Sequence, residues 1–352
     1  MIQIQYKACA VGVCHCGFID HEQKVWVCGY NNKCPSMDAA QKMSNTERAK
    51  YCLPLSQIIS LPPIKAIALG RLFSIFLDME GAVWYDNLSC QPKKLSSIPP
   101  IQDIVAGDKK SFLLDFTGKV WAQNEPRSEF VSLRKLPEVQ LIFAGDSNFF
   151  FVVENGSVWG CGENRHGSLG VGKTTKREKP TLIRSLSNIV SIGSSIFHTL
   201  FVDKDGSVWS CGSNIDGQLG HNADNKVSMS VPTRIETLPP ITDVAAGYEF
   251  SLFLDKNGAA WGCGRLSQFG ILDRDVAIPT PVATNLTFSA LVARNEVLFM
   301  IDMENNVWTS GVNNWGQLGL GSTSKREYNL SRVEDLPALY SSSIYSVKSS
   351  RS

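Results

Sequence analysis

The sequence has almost no net charge, no long hydrophobic segment and no secretory signal. Its 34 Lys and Arg residues balance 33 Asp and Glu residues, which gives a formal net charge of +1. Without an excess of one sign, the chain has no global attraction to nucleic acid or to an acidic membrane. No apolar run approaches the ~20 residues that span a bilayer, and residues 1–7 lack the basic-then-apolar start of a signal peptide. We therefore expect a soluble protein of the cytoplasm or nucleus that binds no membrane, and nucleic acid is not the favoured ligand.

Patterns for catalysis and metal binding are also missing. The five histidines form no metalloprotease pair, no Gly-x-Ser-x-Gly elbow occurs, and His198 lies on an apolar strand, where we interpret it as a core residue. Zinc ligands do concentrate near the N-terminus: Cys9, Cys14, His15, Cys16, Cys28 and Cys34. They lack two properly spaced ligand pairs, so a zinc site is only the alternative interpretation. The sequence predicts no catalytic residue, no cofactor and no metal ion.

One stretch does match a known site pattern. Residues 167–174 read Gly-Ser-Leu-Gly-Val-Gly-Lys-Thr, which fits the phosphate-binding loop. Such a loop must open a helix, whereas Pro180 follows closely here. A later stretch, residues 316–327, repeats the glycines without the key lysine, so internal repetition explains the match better than nucleotide binding does.

That repetition is the main feature of the chain. Seven times an apolar residue precedes a tryptophan, at Trp26, Trp84, Trp121, Trp159, Trp209, Trp261 and Trp308. Successive tryptophans are 58, 37, 38, 50, 52 and 47 residues apart. A period in this range indicates a propeller or a solenoid, and four short strands with their connections fill one period. We treat the tryptophans as structural anchors of seven repeats.

Each repeat contains the same turn and the same glycine. Four turns begin with Asp and end with Gly three residues later, at Asp78, Asp115, Asp203 and Asp255. The Asp can bond the backbone ahead of it, which favours a tight turn over a calcium loop. Three residues after four of the tryptophans lie further predicted anchors, Gly162, Gly212, Gly264 and Gly311. The cysteines two residues after a tryptophan are equivalent core positions in different repeats, so we expect free thiols in a reducing compartment.

The phrase Trp-x-Cys-Gly-x-Asn-x-x-Gly-Gln-Leu-Gly, preceded by Leu-Pro-x-Ile-x-x-Val-x-x-Gly, resembles the regulator of chromosome condensation repeat family. It is strongest around Trp159, Trp209 and Trp308 and weakest after Trp84 and Trp121. The resemblance implies an all-β, seven-bladed β-propeller of four-stranded antiparallel blades, formed by residues 1–340 as one domain with a disordered tail, 341–352. To close the ring, we expect the strand near residues 330–333, with the segment 336–347, to pack beside the N-terminal repeat.

For function, the sequence favours a monomeric, non-enzymatic scaffold that binds a protein partner through loops of a propeller face. The expected contacts are the extended loop 31–56 and a ledge formed by the short second and third repeats. The resemblance also implies two alternatives, a guanine nucleotide exchange factor for a Ran-like small GTPase and a chromatin-associated regulator. Exchange in the family depends on a projecting β-wedge, and the contraction around Trp121 leaves no room for one there.

Overall fold

The chain folds into seven four-stranded antiparallel sheets, which are the blades of a closed β-propeller. The computed structural model describes residues 8–31, 47, 49–123, 129–221 and 227–340. Every blade uses four consecutive strands, which we letter A to D from the central channel outward. The predicted all-β, seven-bladed architecture is therefore confirmed.

The strands are numbered along the chain. Blade one contains β1 (Cys9–Val11), β2 (His15–Ile19), β3 (Val25–Tyr30) and β4 (Cys52–Gln57). Blade two contains β5 (Ile64–Leu69), β6 (Ser74–Asp78), β7 (Val83–Asp86) and β8 (Lys93–Lys94). Blade three contains β9 (Ile101–Ala106), β10 (Ser111–Asp115), β11 (Val120–Gln123) and β12 (Val131–Ser132). Blade four contains β13 (Val139–Ala144), β14 (Asn148–Val153), β15 (Ser157–Gly162) and β16 (Arg177–Ser187).

The remaining three blades follow the same order. Blade five contains β17 (Ile189–Ser194), β18 (His198–Asp203), β19 (Val208–Gly212) and β20 (Met229–Arg234). Blade six contains β21 (Ile241–Ala246), β22 (Phe250–Asp255), β23 (Ala260–Gly264), a short 3₁₀ helix (Ser267–Phe269) and β24 (Val276–Pro281). Blade seven contains β25 (Phe288–Arg294), β26 (Val297–Asp302), β27 (Val307–Val312) and β28 (Arg326–Arg332).

Strand B is the most buried strand of a blade because neighbouring blades cover both of its faces. In blade six, all six residues of β22 are buried, whereas the outer strand β24 is largely open to solvent. This explains why strand B is a continuous apolar run rather than an alternating one. The turn that follows has the predicted geometry, since Asp255 Oδ1 accepts the backbone N–H groups of Asn257 at 2.8 Å and Ala259 at 3.0 Å.

Ring closure follows the expected packing, because Val333, Leu336 and Leu339 share one hydrophobic cluster with residues of blade one. The outer strand β28 pairs with β27 of its own blade, with Trp308 opposite Arg332, so this strand does not join the first blade. The first and last blades instead meet through their inner strands, β1 and β25. Residues just after β28 complete the junction: Leu339 forms an antiparallel bridge with Asp20, and the N–H of Tyr340 donates to Ile19 O at 3.0 Å. The expected segment 341–347 lies outside the described residues.

The outer strands of blades two and three are only two residues long, in keeping with the short second and third repeats. The extended loop 31–56 falls mostly on residues outside the described ranges, and its end forms β4. In the described part of the chain, no helix is long and apolar enough to cross a membrane.

Candidate protein-binding face

Two kinds of loop lie side by side on one face of the propeller. In blade four, the N–H of Glu163 in the C–D loop donates to Ser147 O in the A–B loop at 3.1 Å. Blade five repeats this contact between Ser213 and Phe197 at 2.9 Å. We call this side the AB face. The B–C turns and D–A connections form the opposite side, the BC face.

The four predicted glycine anchors lie where strand C passes the A–B loop of its own blade. Gly162, Gly212, Gly264 and Gly311 have φ values of +118°, +113°, +91° and +114°. A Cβ atom at any of them would stand 2.0 to 2.3 Å from a backbone carbonyl oxygen, such as Ser147 O beside Gly162. Both the conformation and the close approach exclude a side chain. These glycines let the two loops of the AB face pack directly on each other.

Most of the repeat tryptophans hold the B–C turns through their indole nitrogens. Nε1 donates to Oδ2 of the turn aspartate at distances from 2.8 Å, for Trp26 and Asp20, to 3.5 Å, for Trp209 and Asp203. The same bond is made by Trp84, Trp121, Trp261 and Trp308. Blade four is different, because Val153 stands in the aspartate position and Trp159 Nε1 is buried without a hydrogen-bond partner in the described structure. The tryptophans therefore brace the BC face.

The Gly-x-Leu-Gly loops on the AB face insert a leucine between blades. Leu169, Leu219 and Leu318 are fully buried. The backbone N–H of each leucine donates to the side-chain Oδ1 of an asparagine five residues earlier, at 2.9 to 3.1 Å. Because the asparagine fixes the loop from inside, the leucine has one defined position. The loop of one blade thus seals the gap to the next.

The receiving position is the residue two places after the tryptophan of the next blade. Cys211 Sγ donates to Ser168 O at 3.4 Å, and Cys263 Sγ donates to Gln218 O at 3.5 Å. Cys28 receives the loop of blade seven in the same way, at 3.6 Å. The described cysteines are free thiols, and these three are docking points between blades.

The sequence of blade three contains no Gly-x-Leu-Gly motif after Trp121, and a cavity of about 360 Å³ lies between the described parts of blades three and four. Its apolar floor includes Phe112, Phe149 and Cys161, and Cys161 is the receiving position of blade four. Its charged lining comprises four basic residues, Lys109, Lys110, Lys176 and Arg177, and four acidic residues that pair with Lys176 or with Arg294, namely Asp108, Asp146, Glu163 and Glu178. We call this cavity the blade three–four cleft. The segment that follows β11, residues 124–128, lies outside the described residues.

Beside the cleft, a buried arginine closes the AB end of the central channel. Arg294, at the end of β25, donates from Nε to Asp146 Oδ1 and from Nη2 to Asp108 Oδ1, both at 2.9 Å. Its Nη1 donates to Leu69 O at 2.5 Å and to Val11 O at 3.4 Å. One side chain of blade seven therefore contacts blades one to four.

The charge of this arginine is retained in the interior. Burial opposes the charged form, but the carboxylates of Asp146 and Asp108 outweigh it and raise the pKa of Arg294 above its usual value. The channel below, with a volume of about 430 Å³, is lined by the inner strands of all seven blades. Nothing in this arrangement provides a nucleophile and base; it is an ionic plug.

Two buried histidines have equivalent positions at the AB end of strand B. His198 Nε2 lies 2.8 Å from Ser251 Oγ of the next blade, and His15 Nε2 lies 3.1 Å from Ser74 Oγ. Burial lowers the pKa of both imidazoles to about 3. Both rings are therefore neutral near pH 7 and connect neighbouring blades, as the core interpretation of His198 requires.

The remaining sequence signals can now be located. Residues 167–174 connect β15 to β16, so the phosphate-loop pattern leads into a strand and not into a helix. Among the described residues, no group of three or more His, Cys, Asp or Glu side chains is placed to hold a metal ion. Cys9, Cys14 and Cys16 are buried on or beside β1 and β2, while Cys34 lies outside the described ranges.

Comparison with known sequences agrees with the repeat geometry. The Regulator of chromosome condensation (RCC1) repeat matches residues 155–202 and 205–254, and a second form of that repeat matches residues 139–168, 189–218 and 241–271. The first form spans strands C and D of one blade and strands A and B of the next, whereas the second form spans strands A to C of blades four, five and six. Residues 139–271 therefore contain repeats of the regulator of chromosome condensation family.

Relatives within the family align over part of their length. The Regulator of chromosome condensation proteins of Xenopus laevis and Mus musculus are 26% and 28% identical over 165 residues. The alignment spans 45% of this chain and 39% of each relative. What these whole proteins do therefore extends to this chain only as a proposal.

Solved structures show the same fold. Yeast RCC1 (Prp20), solved with Kap60, has a TM-score of 0.71 and 21% identity, covering 80% of this chain and 78% of that chain. Prp20p from Saccharomyces cerevisiae, described with its binding to Gsp1p and histones, has a TM-score of 0.69 and 19% identity, covering 82% and 80%. Human WBSCR16 has a TM-score of 0.71 and 16% identity, covering 80% and 85%.

Within this RCC1-type propeller, sequence reasoning missed the ionic plug. Arg294 stands at the end of strand A, where the repeat phrase Val-x-x-Gly has its glycine, as at Gly107, Gly145 and Gly247. An alignment of the repeats would show this charged residue in a position where several repeats have glycine. Its partners Asp108 and Asp146 directly follow two of those glycines.

Proposed function

We propose that this chain is a non-enzymatic interaction module that binds a protein partner through the loops of its AB face. The supporting observation is the blade three–four cleft, where a missing leucine loop leaves an apolar floor with a basic rim. An apolar centre surrounded by polar groups is the usual composition of a protein-binding surface. Binding residues commonly lie on loops carried by a rigid scaffold, which this ring of blades provides.

Partly buried aromatic groups and one exposed apolar side chain extend the same face. His166, Phe197 and Tyr248 form a row of edge-to-face ring contacts with centroid distances of 5.4 and 5.5 Å. Ile215, in the C–D loop of blade five, is 60% exposed. Aromatic side chains are enriched in interfaces because they bury a large area at a low entropic cost. This row gives a partner a second area of contact.

The other elements of the proposal come from the sequence. Loop 31–56 connects strands C and D of blade one and so begins on the AB face, and the short blades two and three supply the ledge. We propose that the chain acts as a monomer in the cytoplasm or nucleus. The repeat tryptophans and glycines keep a structural role in this proposal, holding the loops that the partner contacts.

Partner capture with charge variants on each face tests the proposal. Lys109→Glu combined with Lys176→Glu changes the rim of the cleft, while Lys204→Glu combined with Lys256→Glu changes exposed turns of the BC face. We expect the AB-face pair to lose proteins that the wild-type chain captures from native cells, and the BC-face pair to retain them. Loss only with the BC-face pair would contradict the proposal.

A second candidate is a guanine nucleotide exchange factor for a Ran-like small GTPase. Its support is the name of the two relatives and the described binding of yeast Prp20p to Gsp1p and histones. Against it, every strand in the described ranges belongs to one of the seven blades, without an additional projecting hairpin. Release of labelled GDP from Ran-type GTPases, accelerated by substoichiometric protein, would establish this function. Histone binding that weakens steeply with salt would support the chromatin-associated alternative.

A further inference from the structure

We propose that the blade three–four cleft receives a leucine-type side chain carried on a tight turn of the partner, with acidic residues beside that turn. This inference rests on the proposed protein-binding function and specifies the chemistry of the ligand. The leucine of the partner would take the place that the leucine of a C–D loop takes between other blades of the ring.

The propeller itself contains the template for this contact. Between blades four and five, Leu169 is buried in a cluster with Phe201, Trp209 and Cys211. The strand pairing places Phe151, Trp159 and Cys161 of blade four in the same relative positions, because Phe151 pairs with Trp159 as Phe201 pairs with Trp209. The surface that binds a leucine at one junction is therefore present at the junction before it.

At that earlier junction, the chain brings no equivalent leucine. Residues 124–128 read Asn-Glu-Pro-Arg-Ser and contain no aliphatic side chain of this type. Cys161 Sγ donates no hydrogen bond to a preceding loop among the described residues, unlike Cys28, Cys211 and Cys263. Cys161 also keeps 6% exposure, whereas Cys211 and Cys263 have none. The receiving site is formed but not filled by a described residue.

The floor of the cleft is more apolar than the filled junctions before blades five and six, while at the junction before blade one Cys16 pairs with the receiving Cys28. Phe149 pairs with Cys161 where Thr199 pairs with Cys211 and Ser251 pairs with Cys263. Phe149 packs on Phe112 with ring centroids 4.5 Å apart. One ring, that of Phe149, therefore stands in place of a small hydroxyl side chain and packs on the ring of Phe112, which makes the floor shallower and suits one aliphatic side chain better than a long insert.

The charged residues at the rim of the cleft favour a particular charge beside the leucine of the ligand. Lys176 is neutralised by Glu163 and Glu178, at 3.4 and 2.9 Å, but Lys109 and Lys110 have no ion pair among the described residues. Arg177 Nε is buried in the cleft wall without a hydrogen-bond acceptor in the described structure. Two unpaired lysines and a guanidinium lacking an acceptor favour carboxylate groups on the ligand.

A peptide copied from the chain provides the probe. Residues 214–220, Asn-Ile-Asp-Gly-Gln-Leu-Gly, form the blade five loop and carry both the leucine and an aspartate. As a head-to-tail cyclic peptide, this sequence should bind the full chain in calorimetry. Replacing its leucine by alanine should weaken binding at least about tenfold, since burial of a leucine contributes about 1.5 kcal/mol or more. Equal affinity of the two peptides would overturn the proposal.

Variants and crosslinking locate the binding. Lys109→Glu should weaken the peptide severalfold at low salt, and Lys204→Glu on the BC face is the matched control that should leave its affinity unchanged. A photoactivatable leucine in the peptide should attach to segments containing Phe112, Phe149 or Cys161. Attachment elsewhere would place the ligand outside the cleft and refute the assignment.

Closing the cleft within the chain separates this inference from the proposed function. Replacing residues 124–128 by the blade five loop, residues 213–228, should supply the leucine in cis and abolish binding of both peptide and natural partner. If the grafted chain still binds its partner, and the Lys109→Glu, Lys176→Glu variant does not, the leucine proposal fails and the AB-face function stands. A single-stranded oligonucleotide that occupies the cleft and displaces the peptide would instead assign the basic rim to nucleic acid.

Discussion

Acid should destabilise this propeller through two histidines that the fold keeps neutral. His15 and His198 are each fully buried and hydrogen-bonded to a serine of the next blade. A proton added to either ring would place an unpaired charge in the interior between two blades. The folded chain therefore resists protonation, whereas the unfolded chain accepts it. This difference makes the free energy of unfolding depend on pH.

The size of the effect follows from the pKa difference. Folding lowers the pKa of each imidazole from 6.5 to about 3. Between those values the unfolded state binds more protons, so stability is complete above pH 6.5 and falls as the pH is lowered toward 3. At pH 5, each histidine should cost about 2 kcal/mol, and the two together about 4 kcal/mol. Asp103 acts in the opposite direction, because burial raises its pKa to about 7.

A variant isolates the contribution of one histidine from that of Asp103. Asn148 occupies the equivalent position in blade four and is buried there with hydrogen bonds to Ser168 and Ser195, so His198→Asn introduces a side chain that this fold already accommodates. Urea unfolding at pH 7.5 and pH 5.0 gives the loss of stability on acidification. We expect that loss to be about 2 kcal/mol smaller in His198→Asn than in the wild type.

A matched control substitutes another residue of the same strand. Leu200→Val, in the same buried strand as His198, should lower stability at both pH values and leave their difference unchanged. Proton resonances of His198 should show no titration down to pH 5 in the folded chain. An unaltered pH difference in His198→Asn would contradict the reasoning, because it would mean that this ring does not resist protonation.

Four further perturbations test the scaffold by chemical unfolding. Val153→Asp should lower the free energy of unfolding by under about 1 kcal/mol, because the new carboxylate supplies the acceptor that the buried indole of blade four lacks. A buried aspartate without a partner would cost several kcal/mol. Gly212→Ala should cost about 3 kcal/mol because its Cβ would meet a carbonyl 2.3 Å away, whereas Gly321→Ala, with nothing within 4 Å, should cost about 1 kcal/mol. Arg294→Met should cost about 3–5 kcal/mol by leaving two carboxylates without their cation, and a loss under 1 kcal/mol would refute the plug. Deleting residues 336–352 should shift the single unfolding transition of the whole ring, and separate melting of blade one alone would contradict closure by Leu339.

The repeated elements of the fold were predictable because each blade is built from the same short-range sequence pattern. The Asp-to-Gly turn, the apolar strand before it and the tryptophan after it lie within a few residues of one another, so they form a pattern that the sequence shows directly. The bond from the indole of Trp261 to Asp255 was not predicted, although both residues were. The separation of six residues between donor and acceptor, repeated in six blades, is the signal that reveals it.

Contacts across the ring could not be predicted in the same way. Arg294 bonds to residues 148 and 186 positions earlier, and no local periodicity encodes such a separation. Closure likewise depends on Leu339, which pairs with Asp20 at the other end of the chain. Long-range pairs of this kind become visible only when the curvature of the ring is known. The sequence nevertheless identified the short second and third repeats, whose outer strands are two residues long, but it did not predict the cleft between blades three and four.

Departures from the repeat concentrate at the junction of blades three and four. The leucine loop is missing before it, Phe149 stands where blades five and six have Thr199 and Ser251, and Val153 replaces the turn aspartate of the other blades. A closed ring tolerates each change because neighbouring blades support the altered one on both sides. Changes that removed only a contact would leave a weak junction, but the added aromatic rings on the floor of the cleft and the basic residues on its rim give this junction a surface of its own. The asymmetry is therefore better explained as a binding site than as an imperfect repeat.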